Sequence, residues 1–164
     1  MHKRVLLPAL NCAVLGIASR LFPNGYDVSD NAPNTLPELI QHVNTTGRML
    51  VYSGASAFTI YGCPEVNWAF RAWHDHCHLR NPECYQFDLL GETALLQEHR
   101  GDVLRLFGQN GYTDQMLHLI YVEIVGQAAY LNQHGLFPEQ QFEFVCDWLV
   151  HGRDYALSHK YSVN

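Results

Sequence analysis

Basic residues are scarce in this sequence. Its 164 residues include 10 lysines and arginines against 16 aspartates and glutamates, which gives a formal net charge of -6. A basic face large enough to neutralise a run of phosphates cannot form from so few cations, so we do not expect direct nucleic-acid binding. Charged residues make up only 16% of the chain and hydrophobic residues 48%, a balance that predicts a folded core and excludes a disordered chain.

Several motifs that would assign a function directly are also missing. The sequence has no P-loop, no GxGxxG fingerprint, no GxSxG nucleophile elbow and no HExxH zinc motif. Its five cysteines form no CxxC pair, and an odd count does not fit a secreted disulfide framework. We therefore expect reduced thiols in a cytoplasmic protein.

No apolar stretch is long enough to predict a membrane-spanning helix. The best candidate lies near the N-terminus, where Pro8 and Asn11 interrupt it. Its apolar residues recur at helical spacing, which predicts an amphipathic helix docked on the body of the protein rather than a membrane anchor. These residues are Leu6, Leu10, Val14, Ile17 and Leu21.

The remaining pattern predicts one mainly α-helical domain over residues 1–164. Residues 1–34 form an N-terminal helix and a linker, and residues 35 to about 158 form the core of a bundle of about five to six helices. A short irregular or β-hairpin insertion is expected near residues 49–61, with strands at Met49–Tyr52 and Phe58–Tyr61. Five further helices are predicted. The first is capped by Thr35 and ends at about Thr46, and the fourth is capped by Thr113; the other ranges, in chain order, are Glu65–Leu79, Leu89–Phe107, Asp114–His134 (the helix that Thr113 caps) and Pro138 to about Tyr155.

Histidine, in contrast, is abundant: there are ten, as many as lysine and arginine together. Histidine is the commonest metal ligand in proteins. Asn67, Arg71, His74 and His78 share one face of their predicted helix, and the i, i+4 spacing of the two histidines allows both to bind one metal ion. Asp75 follows Arg71 by four residues and can pair with it.

The next two predicted helices each carry a carboxylate in an otherwise apolar row. Glu92 is followed two turns later by His99, and Glu123 is followed one turn later by Gln127. Burying a carboxylate is costly unless it is paired or bound to a metal. Each carboxylate also has an ordinary structural interpretation. Glu92 can be a solvent-facing charge in the first turn of its helix, and Glu123 can lie at an exposed edge or pair with a buried arginine.

The simplest arrangement that accounts for all three polar stripes is that they face one another around a divalent metal, namely zinc, iron or manganese. The predicted ligands are His74, His78, Glu92 and Glu123. The predicted residues that orient these ligands are Asn67, Arg71, Asp75, His99 and Gln127.

Two classes of function fit such a centre. In an enzyme acting on a small-molecule substrate, the metal would activate water for hydrolysis or support oxygen chemistry, with Asp75, Glu92 and Glu123 as catalytic candidates. The paired Glu-x-x-His motifs of ferritin-like proteins are absent, which slightly favours a hydrolase. The alternative is a non-enzymatic protein that binds a host factor and keeps the polar cluster as a structural metal site or a buried network.

One sequence block resembles a known pattern. The run from Asn67 to Asp75, then His78, Phe87 and Gly91-Glu92, resembles N-x-x-F-R-A-x-H-D-x-x-H, then F, then G-E, in an uncharacterised family of tailed-bacteriophage and prophage proteins. The E-x-x-G-Q run that begins at Glu123 and the segment 135–145 continue the resemblance, which covers roughly residues 50–150. It implies a phage or prophage protein in the cytoplasm of a bacterial host and implies no particular reaction.

A second resemblance is narrower. The doublet His74-Asp75 is similar to that of HD-type metal-dependent phosphohydrolases, in which a separate upstream histidine and a later aspartate complete the ligand set. His42 and Asp102 are the candidates for these two positions. The histidine that follows the doublet so closely, His78, departs from the HD pattern.

Overall fold

The computed structural model describes residues 4–162, and its architecture is mainly α-helical, as predicted. Most elements are helices, and the two strands of a small sheet lie on either side of the second helix in the chain. The elements are α1 (Pro8–Leu21), β1 (Asp27–Ser29), α2 (Leu36–Thr46), β2 (Leu50–Tyr52), α3 (Pro64–Arg80), α4 (Leu89–Phe107), α5 (Gly111–Tyr121), a π-helical segment (Val122–Gly126), α6 (Gln127–His134), α7 (Gln141–His151) and α8 (Arg153–Ser158).

The N-terminal helix docks on the body of the protein, as its apolar periodicity predicts. Pro8 stands at the start of α1, where its missing N–H costs no helical hydrogen bond. Leu10, Val14 and Ile17 are buried and belong to the main hydrophobic core, and α1 packs mainly against α3. Within residues 4–162, no helix is both long and apolar enough to cross a membrane.

The strand predicted at residues 49–52 forms, but its partner differs from the prediction. β2 pairs in parallel with β1, in the stretch predicted to be a linker, and Val28 lies opposite Val51. Residues 58–61 form no strand. Ile60 and Tyr61 are instead fully buried in the main core, and the Ile60 carbonyl accepts a hydrogen bond from Leu6 N. Core burial beside the N-terminal segment thus replaces the hairpin pairing, and the insertion is irregular.

The bounds of α2 and α4 agree with the prediction, and those of two later helices do not. Thr35 caps α2 through the backbone N–H of Glu38, and α4 has the predicted bounds. The helix expected at residues 114–134 starts earlier, because Asn110 is the N-cap and Thr113 forms the other half of a capping box. Residues 122–126 of this helix are π-helical, and the last predicted helix starts at Gln141 and is interrupted at Gly152.

A network of polar side chains joins α3 to α4. Arg80 at the end of α3 donates hydrogen bonds to Glu98 at 2.8 Å and to Asp102 at 2.7 Å. Asp102 also accepts the indole N–H of Trp73 at 2.8 Å, and Glu98 accepts the hydroxyl of Tyr85 at 2.9 Å. These charge-assisted bonds fix the relative position of the two helices and of the loop between them.

Candidate metal centre

Three predicted ligands meet between α3 and α4. His74 and His78 lie one turn apart on α3, and Glu92 lies in the first turn of α4. The Nε2 atoms of the two histidines are 3.1 Å apart, and the Glu92 carboxylate oxygens lie 3.3 Å from His74 Nε2 and 3.4 Å from His78 Nε2. Within residues 4–162, this is the one group of three or more histidine, cysteine or acidic side chains close enough to hold a metal ion.

A hydrogen bond to Nδ1 of His78 determines which nitrogen of its ring is available to bind a metal in this cluster. His78 is fully buried, and its Nδ1 lies 2.7 Å from the backbone carbonyl oxygen of Tyr85. A carbonyl oxygen can only accept, so Nδ1 carries a proton, and in the neutral ring, which is the form that binds a metal, Nε2 offers its lone pair to the cluster. Metal-binding histidines are commonly oriented by such a bond to a backbone carbonyl.

Glu92 is held in its ionised form, which is the form that binds a metal. Burial raises the pKa of Glu92, but the charge of His74 and the hydrogen bonds of His74 and His78 lower it by a larger amount, so that the pKa is about 2. The same contacts raise the pKa of His74 against the lowering effect of its own burial. A cation between these groups, whether a proton or a metal ion, is therefore electrostatically favoured.

The spacing of the three donors matches a metal coordination polyhedron. Zinc bonds to nitrogen and oxygen are about 2.0–2.1 Å long, so two ligands of one ion stand about 2.9 Å apart at a right angle and about 3.4 Å apart at the tetrahedral angle. The observed separations of 3.1, 3.3 and 3.4 Å fall inside this interval. One ion can therefore contact all three side chains with little rearrangement.

Gly91 accounts for the position of Glu92. The loop between α3 and α4 folds back on the first turn of α4, and a Cβ at Gly91 would collide with the backbone nitrogen and oxygen of Gln86. The same loop carries the Tyr85 carbonyl that orients His78. A glycine before the glutamate thus allows the loop, the carbonyl and the carboxylate to approach the two histidines together.

This contact leads to a prediction about Gly91→Ala. The methyl group would displace backbone rather than a side chain, and we expect a loss of about 1–3 kcal/mol in the free energy of unfolding together with weaker zinc binding. Gly101→Ala is the matched control, because Gly101 lies within the same helix and a Cβ there meets nothing within 4 Å. That variant should be neutral or more stable by roughly 0.5–1 kcal/mol. Urea unfolding and zinc titration of both variants test the claim, which equal effects would contradict.

A cavity of about 570 Å³ opens beside the cluster and is lined by His74, His78 and Glu92. Glu123 and Gln127, from the π-helical segment and the start of α6, line another wall of it. Glu123 is thus brought to the same cavity as the three clustered residues but lies outside the cluster itself. The geometry supports three protein ligands next to open space, an arrangement typical of catalytic rather than structural metal sites.

The π-helical segment places Glu123 in a buried position. A Cβ on Gly126 would lie 3.3 Å from the Trp148 side chain and 3.4 Å from that of Phe144, so the absence of a side chain lets α7 pack closely here. Glu123 is 7% exposed, and its Oε1 accepts a 3.1 Å hydrogen bond from the Gln127 amide. Burial raises the pKa of Glu123 to about 8, although Gln127 and the charge of Arg71 lower it. The carboxyl group is therefore mostly protonated near pH 7.

Arg71 and Asp75 both line the cavity but do not form the expected ion pair. The Arg71 guanidinium donates instead to the backbone carbonyls of Tyr52 and Gly54, both at 2.6 Å, and so anchors the segment that follows β2. The Asp75 carboxyl group accepts no hydrogen bond from residues 4–162, and burial raises its pKa to about 6 against the lowering effect of the neighbouring histidines. Asn67 also lines the cavity and donates to Ser56 Oγ at 2.9 Å.

His99 lies in the core beside the site. Its ring is fully buried, with its centroid 4.5 Å from that of Trp73 and 5.4 Å from that of His74. Burial lowers its pKa well below the ordinary value, so it is neutral, and neither ring nitrogen has a hydrogen-bond partner of normal geometry among the described residues. Its contact with His74 is therefore one of packing.

The structure also shows residues whose roles sequence reasoning missed. The Tyr85 carbonyl orients His78, Glu98 joins the Tyr85 hydroxyl to Arg80, and aromatic side chains at Tyr52, Phe87 and Phe137 line the cavity. Phe87 belongs to the block that carries the phage resemblance, which is the one signal that pointed to it. The two residues considered for an HD-type site, His42 and Asp102, do not join the cluster.

The fold and the cluster define a mainly α-helical protein with a candidate His-His-Glu metal site. No family model, no curated protein and no solved structure matches the chain. The function is therefore inferred from the geometry of the site.

Proposed function

We propose that this chain is a metal-dependent enzyme, a hydrolase, that binds one divalent cation through His74, His78 and Glu92. The observation that carries the proposal is the convergence of these three donors, 3.1–3.4 Å apart, beside an open cavity. Two histidines and one glutamate form a known ligand set of catalytic zinc, with a position left for water. A cation at such a position lowers the pKa of water and supplies a nucleophile at neutral pH.

Two carboxyl groups of the chain are the candidates for proton transfer, one as general base and one as general acid. Asp75 lines the cavity next to His74, is not occupied by a hydrogen bond from the described part of the chain, and is the candidate general base. Glu123 stands on another wall and is protonated near pH 7, so it is the candidate general acid for the leaving group. Two carboxyl groups held in different environments are the usual arrangement for acid and base in one site.

A test of the coordination precedes any search for a substrate. X-ray absorption on the zinc-loaded protein should show two imidazoles, one carboxylate and a further light ligand that the chain does not supply. Four ligands from the protein would instead mean a closed structural site and would contradict the enzyme proposal. With the open site established, aryl esters, anilides and phosphodiesters are screened with zinc or manganese bound.

The proposed base gives an expected result for Asp75→Asn. The variant should keep its zinc content and lose about 100- to 10,000-fold in kcat, as is usual for removal of a general base. Rates on the aryl ester or anilide found in the screen, measured with metal content on the same samples, check this. A variant that keeps full activity would remove Asp75 from the mechanism.

Iron is the second candidate metal because two histidines and one carboxylate also form the facial set of non-haem iron oxygenases. The same donor geometry favours this alternative. Oxygen consumption by the iron-loaded protein, together with no hydrolysis by the zinc-loaded form, would select it.

We further propose that the protein acts in a phage or prophage setting, in the cytoplasm of a bacterial host. The resemblance around residues 67–92 supports the setting, and five free thiols fit a reducing compartment. The alternative is a non-enzymatic protein that binds a host factor. The open cavity beside His74 favours the enzyme, because a structural metal needs no free coordination position.

A further inference from the structure

Three of the exposed residues that line the metal cavity are aromatic, and the other exposed residues of its described lining are Asn34, Ala55, Asp88 and Asn132. Tyr52 in β2, Phe87 in the α3–α4 loop and Phe137 in the α6–α7 loop all line the cavity and are 47%, 39% and 53% exposed. Residues that line a cavity and remain this exposed stand at its entrance. Three segments far apart in the chain thus each supply one aromatic ring to the entrance. Isolated exposed aromatics are common, but three around one cavity form a binding surface.

These rings stand close to the proposed metal ligands. The Phe87 ring packs edge-on against His78 with 4.5 Å between ring centroids. Arg71, which is anchored on backbone carbonyls, lies over the Tyr52 ring at 5.6 Å. A ligand whose polar group reaches the cluster would therefore have its next few atoms beside aromatic faces and edges.

The protein's own charges around the cavity disfavour a polyanionic ligand. The lining of the cavity includes the acidic side chains of Asp75, Asp88, Glu92 and Glu123, and Arg71 is the one arginine or lysine that lines it within the described residues. The Arg71 donors are directed at the carbonyls of residues 52, 54 and 55 and are not free to form the bidentate contacts that phosphates favour. A nucleotide polyphosphate would lie among acidic side chains with no free arginine or lysine in the described lining of the cavity.

We propose that the natural ligand of this cavity is a small aromatic compound whose polar group binds the metal while its ring packs among Tyr52, Phe87 and Phe137. A volume of about 570 Å³ suits one compound of this size. This inference rests on the proposed open metal site. It adds the substrate class, which the ligand set alone does not specify.

Two hydroxamic acids test the inference on the zinc-loaded protein. Acetohydroxamic and benzohydroxamic acid carry the same metal-binding group and differ in the ring. Calorimetric titration should show benzohydroxamic acid binding at least about tenfold more tightly, because aromatic contacts and ring burial add to the shared group. Equal affinities would overturn the aromatic proposal and leave the open metal site standing. Binding of neither compound would overturn both.

Substitutions at the cavity entrance test whether the difference in affinity between the two hydroxamic acids depends on the aromatic residues. Phe137→Ala should reduce the affinity ratio of the two compounds at least threefold, and Phe87→Ala should act in the same direction. Leu136→Ala is the matched control, since Leu136 is the adjacent residue, is 55% exposed and does not line the cavity. A ratio that is unchanged in both phenylalanine variants, or that falls equally in the leucine variant, would overturn the proposal.

Discussion

Replacing His78 with asparagine should weaken zinc binding by about 100- to 1,000-fold. Zinc binding by a protein site is worth roughly 10–16 kcal/mol in total, so one lost ligand costs about 3–4 kcal/mol. His78→Asn removes Nε2, which lies 3.1 Å from His74 Nε2. It keeps a short side chain with an N–H donor for the Tyr85 carbonyl, so the fold should survive. Competition against a chelator of known affinity measures the loss.

The control for this prediction lies two residues earlier on the same helix. His76 is partly buried, its ring packs edge-on against Phe22 at 5.8 Å, and it does not belong to the cluster. His76→Asn makes the same chemical change and should leave zinc affinity within about threefold of the parent protein. Circular dichroism on both variants confirms that they are folded. An equal loss of zinc in both, or in neither, would contradict the assignment of ligands.

Glu123 should make the stability of the metal-free protein fall as pH rises. Its pKa in the folded protein is about 8, above the ordinary value of 4.5, because the carboxyl group is buried. The folded state therefore holds the proton more tightly than the unfolded state. Stability from this neutral group is fully present below pH 4.5 and is lost as the pH rises through 8. The loss amounts to at most about 5 kcal/mol.

The variant Glu123→Gln isolates this effect. Glutamine is neutral at every pH and retains an oxygen that can accept the Gln127 hydrogen bond, so its stability should lack the Glu123 contribution to the pH dependence. Urea unfolding at several pH values between about 5 and 9, with chelator present, compares the variant with the parent protein. Glu143→Gln is the control because Glu143 is an exposed carboxylate on α7. Parallel curves for the Glu123 variant and the parent would show that Glu123 is not a buried acid.

Sequence periodicity predicted the part of the site that lies on one helix. The i, i+4 spacing placed His74 and His78 on one face, and the position of Glu92 in an otherwise apolar row of the next helix indicated a buried carboxylate with a partner. Helical spacing gives the face that a residue occupies but not its distance from residues on another helix. That is why Glu123 was grouped with the ligands, whereas the structure places it on another wall of the cavity.

Contacts between segments distant in the chain account for most of what the sequence did not predict. The parallel pairing of β1 with β2 joins strands with α2 between them, and no local pattern specifies it. Arg71 was expected to be able to pair with Asp75 one turn later. The backbone carbonyls of Tyr52, at the end of β2, and of Gly54 lie within its reach and accept its hydrogen bonds instead. Gly126, the last residue of the π-helical segment, packs closely against α7, and the periodicity of one helix does not predict such a contact.

Elemental analysis of the untagged protein, purified without chelator, shows whether the chain holds a metal ion. We expect about one equivalent of zinc, iron or manganese per chain, and a large loss of that metal in Glu92→Gln. Iron would direct further work to oxygen chemistry, and zinc or manganese to hydrolysis. A metal-free protein that also fails to bind added zinc, iron or manganese would contradict the proposed metal site and leave His74, His78 and Glu92 as a hydrogen-bonded polar cluster.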